Sequence, residues 1–282
     1  MWAILGGLGA AASWAITTLS ATRASRLIGS PATLAWVMLT GLAVVGPVVL
    51  AEGKPAALGG EALGWLALAG FGNIGGLLCV YSGLRRGNVG VVAPISSTEG
   101  AVAALIAVAA GEHLGIGTAL ALAAIVVGVV VTARAPATGA EADLVDPRAA
   151  VFGLAAAGCF GASLYATGRA SLDLPIAWAV LPPRLLGVVC ITLPLLAVRR
   201  LRLTRAAAPY VVASGLAEVA GFVSYAVGAR HGIAIAAVLG SQFAALAVLG
   251  AGVLFKERLG RMGVAGVVMI AAGVAVVSAL RA

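Results

Sequence analysis

Long apolar runs, separated by short clusters of charged residues, glycine or proline, fill this chain from end to end. One α-helix needs about 20 apolar residues to cross a bilayer core. Ten runs reach that length, and the residues at their ends are typical of helix termini. The predicted spans cover residues 2–22, 32–51, 62–84, 88–110, 115–134, 149–168, 175–198, 207–229, 233–255 and 261–280. The pattern therefore predicts an all-α integral membrane protein with ten transmembrane helices.

The second half of the chain resembles the first. When residues 87–133 are moved forward by 145 positions, they fall without a gap on residues 232–278, with 10 identities in 47 positions. The more informative match is that of Gly111–Gly115 with Lys256–Gly260, because each lies between two apolar runs of equal length. The match predicts a structural repeat.

The polar stretch 135–148 is the one segment long enough to be a linker, and it divides the spans five and five. We therefore predict a first repeat over residues 1–134 and a second over residues 149–282. Because five is odd, the second repeat must enter the membrane from the opposite side. This predicts two inverted five-helix repeats related by a pseudo-two-fold axis in the membrane plane.

Composition agrees with a membrane protein. The chain is 62% hydrophobic and 10% charged, whereas soluble domains carry about 25% charged residues. The net charge of +8 comes from short loops, which favours cations that meet lipid headgroups over a nucleic-acid partner. The three cysteines lie in apolar runs and form no metal motif, so no metal or cofactor is predicted. Glycines such as those of Gly6–Gly9 and Gly70–Gly76 are predicted to let helices pack closely.

Several motifs resemble one family of carriers. The runs Tyr81–Gly87 and Val91–Ser96 are similar to the third and fourth helices of EamA-type members of the drug/metabolite transporter superfamily. The run Lys256–Gly260, followed by Gly266 and Gly273, resembles that family's signature between the ninth and tenth helices, and Ser13-Trp14 also fits the family.

The resemblance implies a ten-helix secondary carrier that exports amino acids or other small metabolites without ATP. It also implies cytoplasmic termini. The positive-inside rule favours the opposite, since that orientation would leave 13 loop cations outside and 4 inside, so the orientation stays open. In the ninth span, Val238–Gln242 stands where many relatives carry a proline, so the residue that would form a hinge there is missing.

Glu99 is the first of three ionisable residues inside the predicted spans, where such residues usually face a cavity. Ser96 precedes it by one turn, and its repeat mate is Ala244, so the fold does not require an acid there. A carboxyl group removed from water takes up a proton more readily, so Glu99 is a candidate for proton coupling or for binding a cationic substrate. The alternative is a structural pair with Arg184 or a hydroxyl group.

Glu218, in the eighth predicted span, has Asn73 as its repeat mate. Glu218, Phe222 and Tyr225 share one helix face, and Asn73 shares another with Tyr81. Two mated helices thus each present a polar group and a tyrosine, which predicts a cavity wall and makes Glu218 a second candidate for proton coupling. The alternative is hydrogen bonding between helices.

Arg184 follows two prolines in the seventh predicted span. Prolines remove helix hydrogen bonds and leave carbonyl groups free. Arg184 is a candidate for binding a substrate carboxylate with two hydrogen bonds. Neutralisation of Glu99 or Glu218, or a position nearer the interface, are the alternatives.

Aromatic residues add further candidates. Trp14, Tyr165 and Trp178 are predicted to lie deeper than interfacial belts, where they could stack on a substrate ring, hold an organic cation or simply pack in the core. Ser241, the mate of Ser96, and Gln242 are predicted to be secondary contacts. Glu112 and Glu257 precede the fifth and tenth spans, where acids are expected to cap helix N-termini.

These features favour a secondary transporter with a cavity between the halves, working by alternating access in the cytoplasmic membrane. The predicted substrate is a small cationic or zwitterionic metabolite such as an amino acid or amine, with proton coupling and a homodimer as open options. The alternatives are a polytopic membrane enzyme or a channel. The two histidines belong to no catalytic motif, and the sparse polar residues do not resemble a channel filter.

Overall fold

In the computed structural model, the described residues are 1–84, 92, 95–133, 147–247 and parts of 265–280. Within these ranges the chain is all-helical, as the apolar pattern predicts. The helices are α1 (Trp2–Ile28), α2 (Ser30–Glu52), α3 (Gly60–Leu84), α4 (Glu99–Ala109), α5 (Ile116–Ala133), α6 (Pro147–Asp173), α7 (Ile176–Gly187), a π-helical turn (Val188–Thr192), α8 (Leu193–Ala197), α9 (Ala208–Ala229) and α10 (Ile233–Gly240).

Six of these helical segments are long and apolar enough to cross a membrane, namely α1, α2, α3, α6, α9 and the continuous segment from α7 to α8. Shorter apolar helices occupy Glu99–Ala109, Ile116–Gly128 and Ile233–Ala247. Parts of the fourth, ninth and tenth predicted spans, most of the 135–148 linker and the motif Lys256–Gly260 lie outside the described residues. The described part of the chain is thus a multi-pass helical membrane protein.

Helix ends differ from the predicted bounds at positions where polar residues follow an apolar run. Helix α1 continues past residue 22 to Ile28, and α6 continues past residue 168 to Asp173. Arginine and serine are compatible with a helix, whereas glycine with a positive φ ends one. Gly29 (φ 86°) joins α1 to α2, and Gly53 (φ 68°) ends α2 with its N–H on the carbonyl of Val49. At the ends of α1 and α2, the helix breaks are therefore glycines rather than charged residues.

The helices of the two halves correspond in position and in packing. Moving the bounds of α1 forward by 145 gives residues 147–173, the bounds of α6, and moving those of α3 gives residues 205–229, which contain α9. The most extensive packing is that of α1 on α9 and of α3 on α6, and the same shift exchanges these two pairs.

Glycines make these contacts close, as predicted. A Cβ atom on Gly6 would lie 2.5 Å from the Cα of Gly228, where α1 meets α9. A Cβ atom on Gly72 would lie 2.8 Å from the carbonyl oxygen of Cys159, where α3 meets α6. Close backbone approach provides dispersion contacts between helices that lipid cannot drive together by the hydrophobic effect.

Two helices are interrupted in the middle of the bundle. A turn at Ser97–Thr98 precedes α4, and a turn at Ser241–Gln242 follows α10 before the helix resumes at residues 243–247. Thr98 Oγ1 donates to the carbonyl of Ile95 at 2.7 Å, and Ser241 Oγ donates to that of Val238 at 2.8 Å. Hydroxyl groups thus satisfy carbonyls at both breaks, and the second break forms without a proline.

The two interrupted helices touch at their breaks. A Cβ atom on Gly100 would overlap the carbonyl oxygen of Ala237 and would lie 2.6 Å from Ser241 Oγ. Only a residue without a side chain allows α4 and α10 to approach this closely.

Glu112 caps a helix, although a different one from that expected. Its carboxylate accepts hydrogen bonds from the backbone N–H groups of Ile233 (3.0 Å) and Ala234 (3.2 Å), at the start of α10, instead of capping the fifth span. An acid there satisfies free N–H groups and complements the helix dipole. The loop after α4 is thereby tied to the second half of the chain. Glu257 lies outside the described residues.

We predict that Glu112→Ala lowers the free energy of unfolding by about 1–2 kcal/mol, because two N–H groups lose their acceptor. Thermal unfolding in detergent, followed by circular dichroism, measures the change. Glu52→Ala is the matched control, since Glu52 is exposed at the end of α2. Equal unfolding temperatures for the Glu112→Ala and Glu52→Ala proteins would contradict the capping role.

Candidate functional site

A cavity of about 480 Å³ lies inside the bundle. Side chains from α1, α2, α3, α4, α6 and α9 line it, together with Phe243 after the second helix break. The cavity runs from Trp14 in the middle of α1 to Ser25 and Ser30, where α1 ends and α2 begins. It therefore has a deep end near the helix breaks and a shallow end at one side of the bundle.

The structure brings six of the predicted site residues together around this cavity. They are Trp14, Asn73, Tyr81, Glu99, Glu218 and Phe222. The repeat mates Asn73 and Glu218 are both among them, from α3 and α9. Whether these residues bind a substrate stays a prediction, but their meeting in one cavity agrees with the shared helix faces seen in the sequence.

The other predicted residues lie elsewhere. Tyr225 is fully buried behind the cavity and donates its hydroxyl hydrogen to the carbonyl of Leu164 at 2.8 Å. Tyr165 packs edge-on against Trp65, with ring centroids 5.7 Å apart. Trp178 lies in the first turn of α7, shallower than predicted, and its indole donates to the carbonyl of Gly53 at 3.1 Å.

The polar residues of the two breaks also lie off the cavity wall. Ser241 and Gln242 are buried within the second break, and Ser96 lies half-buried just before the first. The cavity wall near the breaks is instead formed by Glu99 and Phe243, which begin the helices that follow the two turns.

The half-buried Glu218 and the buried Arg184 form an ion pair. The distance between Glu218 Oε1 and Arg184 Nη2 is 3.8 Å. The guanidinium also donates to the carbonyl of Val180 at 3.2 Å and to the carbonyl of Glu218 itself at 3.2 Å. Its central carbon lies 4.1 Å from the centre of the Phe222 ring, in cation–π geometry. Of the two acids named as its possible partners, Glu218 is the one that Arg184 meets.

Glu99 occupies a different environment. It is the first residue of α4, directly after the Ser97–Thr98 turn, so its carboxylate lies at a helix N-terminus that favours negative charge. Within the described residues it forms no salt bridge. The two cavity acids therefore differ, because Glu218 has a cationic partner and Glu99 has none in this part of the chain.

Aromatic rings close the deep end of the cavity. Trp14 packs edge-on against Phe222, with centroids 5.1 Å apart, and against Phe243 at 6.2 Å. Trp14 Nε1 and Asn73 Oδ1 are buried, and neither has a hydrogen-bond partner within the described part of the chain. A bound polar molecule could supply those partners, since buried polar groups are normally hydrogen-bonded.

Hydroxyl groups on α1 form a cavity wall that was not predicted from the sequence. Thr17, Thr18, Thr22 and Ser25 all face the cavity. Their hydroxyl hydrogens are used within helices, as when Thr18 donates to the carbonyl of Trp14 at 2.8 Å, so their oxygens are left as acceptors. The signal was present, because with Trp14 these residues recur at the spacing of one helix face.

A second cleft, of about 430 Å³, lies at the opposite end of the bundle. Its lining includes Glu112 and Arg230, both already bonded to backbone groups, and both histidines. The packed residues Leu164 and Tyr165 lie between this cleft and the cavity, since the first lines the cavity and the second lines the cleft.

Comparison with known proteins gives a family match over the first part of the chain and a similar fold. The model of the EamA-like transporter family, which belongs to the drug/metabolite transporter superfamily, matches residues 1–134. No curated protein matches the chain. One solved crystal structure of another protein is similar to this one with a TM-score of 0.81 at 19% sequence identity, over 99% of this chain and 96% of the other. At that identity, the likeness shows the fold alone.

Gly221 provides a test of how tightly Trp14 is held. A Cβ atom there would overlap the indole nitrogen and would lie 2.6 Å from its neighbouring carbon Cδ1. We predict that Gly221→Ala lowers the free energy of unfolding by about 1–3 kcal/mol through overpacking.

Thermal unfolding in detergent measures this change. The matched control is Gly64→Ala, because Gly64 also lies within a helix and a Cβ atom there meets open space. The control is expected to be neutral or slightly stabilising. If Gly221→Ala were as stable as the control, the indole would have room to move and the deep end would be loosely packed.

Proposed function

We propose that this chain, whose residues 1–134 match the EamA-like transporter family, is a secondary transporter of a small cationic or zwitterionic metabolite in the cytoplasmic membrane. Members of that family are transporters. The observation that carries the proposal is the cavity in which the repeat mates Asn73 and Glu218 meet Glu99 beside an interrupted helix. An amino acid or an amine is the kind of molecule that such acids would attract.

The correspondence of the halves supports a ten-helix architecture built from two inverted five-helix repeats. A shift of 145 residues relates the bounds of α1 to those of α6, and it exchanges the packing pair α1–α9 with the pair α3–α6. An inverted repeat would produce this exchange, because each contact between halves would occur twice. Carriers of this architecture bind substrate where the repeats meet.

The interrupted helices support a binding site in the middle of the membrane. Irregular backbone at that depth is tolerated where it lines a cavity or is buried in protein. In transporters, discontinuous helices direct their free ends at substrates and coupling ions. Here the breaks at Ser97–Thr98 and Ser241–Gln242 meet beside the deep end of the cavity.

The cavity and the second cleft support alternating access. They lie at opposite ends of the bundle, with the packed layer of Leu164, Tyr165 and Tyr225 between them. Rocking of one half against the other would open this layer and close the shallow end of the cavity. The tie from Glu112 to α10 spans the two halves, so it would loosen in that step.

Glu99 and Glu218 are the groups that we propose for proton coupling. Both line the cavity, so a proton and a cationic substrate would compete for the same carboxylates. The other polar wall residues, including Asn73 and Tyr81, would orient the substrate. Binding roles for Ser96, Tyr165, Trp178, Arg184, Tyr225, Ser241 and Gln242 would require a rearrangement from the arrangement described above.

A ligand screen can identify the substrate class. Purified protein is heated with cationic, zwitterionic, anionic and neutral metabolites at about pH 6 and about pH 8, where a buried carboxyl group changes its charge. A ligand at 100 times its dissociation constant stabilises the folded protein by about 2.7 kcal/mol. Stabilisation by cations or zwitterions would support the proposal, and stabilisation by anions alone would overturn the charge assignment.

We predict that Glu99→Gln and Glu218→Gln each abolish uptake of the identified ligand into proteoliposomes, or leave uptake that no longer depends on pH. Glutamine keeps the shape of the side chain but carries neither the charge nor the exchangeable proton. Uptake is measured with a pH gradient across the membrane and again without one.

Glu61→Gln is the control, because Glu61 is exposed at the start of α3 and does not line the cavity. Thermal unfolding of each variant shows whether it is folded. Uptake at the wild-type rate by both cavity variants, with the same pH dependence, would refute carboxylate coupling.

A further inference from the structure

The charged side chains in the described cavity wall are all acidic. Among the described residues that line the cavity, the charged side chains are Glu99 and Glu218, and the remaining members are aromatic, aliphatic, hydroxyl or amide groups. A substrate that enters would meet carboxylates, hydroxyl oxygens and rings. These groups suit an ammonium group with an apolar body.

Arg184, the cation that pairs with Glu218, is kept out of the cavity. Arg184 is 1% exposed and is not part of the wall. Its terminal nitrogens already bond the carbonyls of Val180 and Glu218, and it pairs with the Glu218 carboxylate. Helix α2 also packs closely on this side chain, since a Cβ atom on Gly41 would lie 3.0 Å from Arg184 Cγ.

Phe222 separates Arg184 from the cavity. Its ring contributes to the cavity wall and also contacts the guanidinium, whose central carbon lies 4.1 Å from the ring centre. Trp14 braces the same ring edge-on. A substrate carboxylate would thus meet the Phe222 ring where it would otherwise find a cation.

We infer that the site takes organic monocations and rejects zwitterions, and that Phe222 determines this selectivity by covering Arg184. The inference rests on the proposed function and narrows its substrate class. Arg184 then acts on Glu218 rather than on the substrate. One acid, Glu99, is left without a cationic partner among the described residues, which matches a substrate with a single positive charge.

Three probes with the same phenyl group test the charge selectivity. They are 2-phenylethylamine, a cation, L-phenylalanine, a zwitterion, and 3-phenylpropanoate, an anion. Binding to the purified full chain is measured by calorimetry. The wild type is expected to bind the amine at least about tenfold more tightly than either of the others.

Removal of the ring should change which probe binds. In Phe222→Ala, we expect L-phenylalanine to gain about tenfold in affinity, because its ammonium group can meet Glu99 while its carboxylate reaches Arg184. Phenylpropanoate should stay weak, since two carboxylates face it. Phe160→Ala is the matched control, because Phe160 also lines the cavity, whereas Phe222 is the cavity ring that the structure places over the Arg184 guanidinium. Phe222→Leu should keep the wild-type order.

Chemical modification tests whether Phe222 covers Arg184, and it requires no ligand. Phenylglyoxal modifies accessible arginine side chains, and mass spectrometry locates the modified residues. In the wild type, Arg184 should resist modification while the exposed Arg202 reacts. In Phe222→Ala, Arg184 should react, and in Phe160→Ala it should not.

The outcomes separate the inference from the function. Three results with the wild type would each overturn the inference: the amine does not bind, phenylalanine binds as tightly as the amine, or Arg184 is modified as fast as Arg202. These results do not depend on whether Phe222→Ala folds. Binding of phenylalanine by Phe160→Ala as strongly as by Phe222→Ala would also overturn it. Amine binding without movement across a proteoliposome membrane would instead count against transport and leave the selectivity standing.

Discussion

Backbone polar groups at the two helix breaks must be satisfied within the chain, because a bilayer core offers no water to replace lost hydrogen bonds. At each break a hydroxyl group donates to a backbone carbonyl, Thr98 to that of Ile95 and Ser241 to that of Val238. Gly100 lets the two breaks touch, and their contact holds α4 and α10 together. The position of Glu99 follows, since the first residue after the first turn faces the cavity from a helix N-terminus.

The close packing of helices at glycines then determines the position of the cavity walls. Helix α1 can present Trp14 and its threonines to the cavity because Gly6 lies against Gly228 and Gly221 leaves room for the indole. A side chain at either position would push α1 away from α9 and widen the gap between the halves. In a soluble protein, burial of apolar area would drive such packing. Here the fit of backbone against backbone must provide it.

The sequence predicted the helical class, because apolar run length is a property of the chain itself. The 145-residue offset found in the sequence also relates the bounds of α1 to those of α6. The helix faces seen in the sequence also predicted one cavity wall that contains Asn73, Glu218 and Phe222, and all three line the same cavity. The sequence did not reveal the threonine wall, since threonine is compatible with apolar runs and attracts little notice there. Nor did it predict that Glu112 would cap α10, because a cap between distant segments depends on tertiary packing.

Arg184 shows why a charged residue in a span is hard to interpret from sequence. Its neighbouring prolines suggested free carbonyls, and the sequence left open whether it binds a substrate carboxylate or neutralises an acid. The carbonyl of Val180 does accept from its guanidinium. The sequence does not show which residues surround the Arg184 side chain. In the structure it contacts Gly41 of α2, pairs with Glu218 and lies against the Phe222 ring, which lines the cavity. Replacement of Phe222 by a residue as small as alanine would turn Arg184 from a buried counter-charge into a group that can bind a ligand. The net charge that the cavity presents to a substrate therefore depends on the Phe222 ring as much as on the ionisable residues themselves. Chains with the same three ionisable residues could thus differ in substrate.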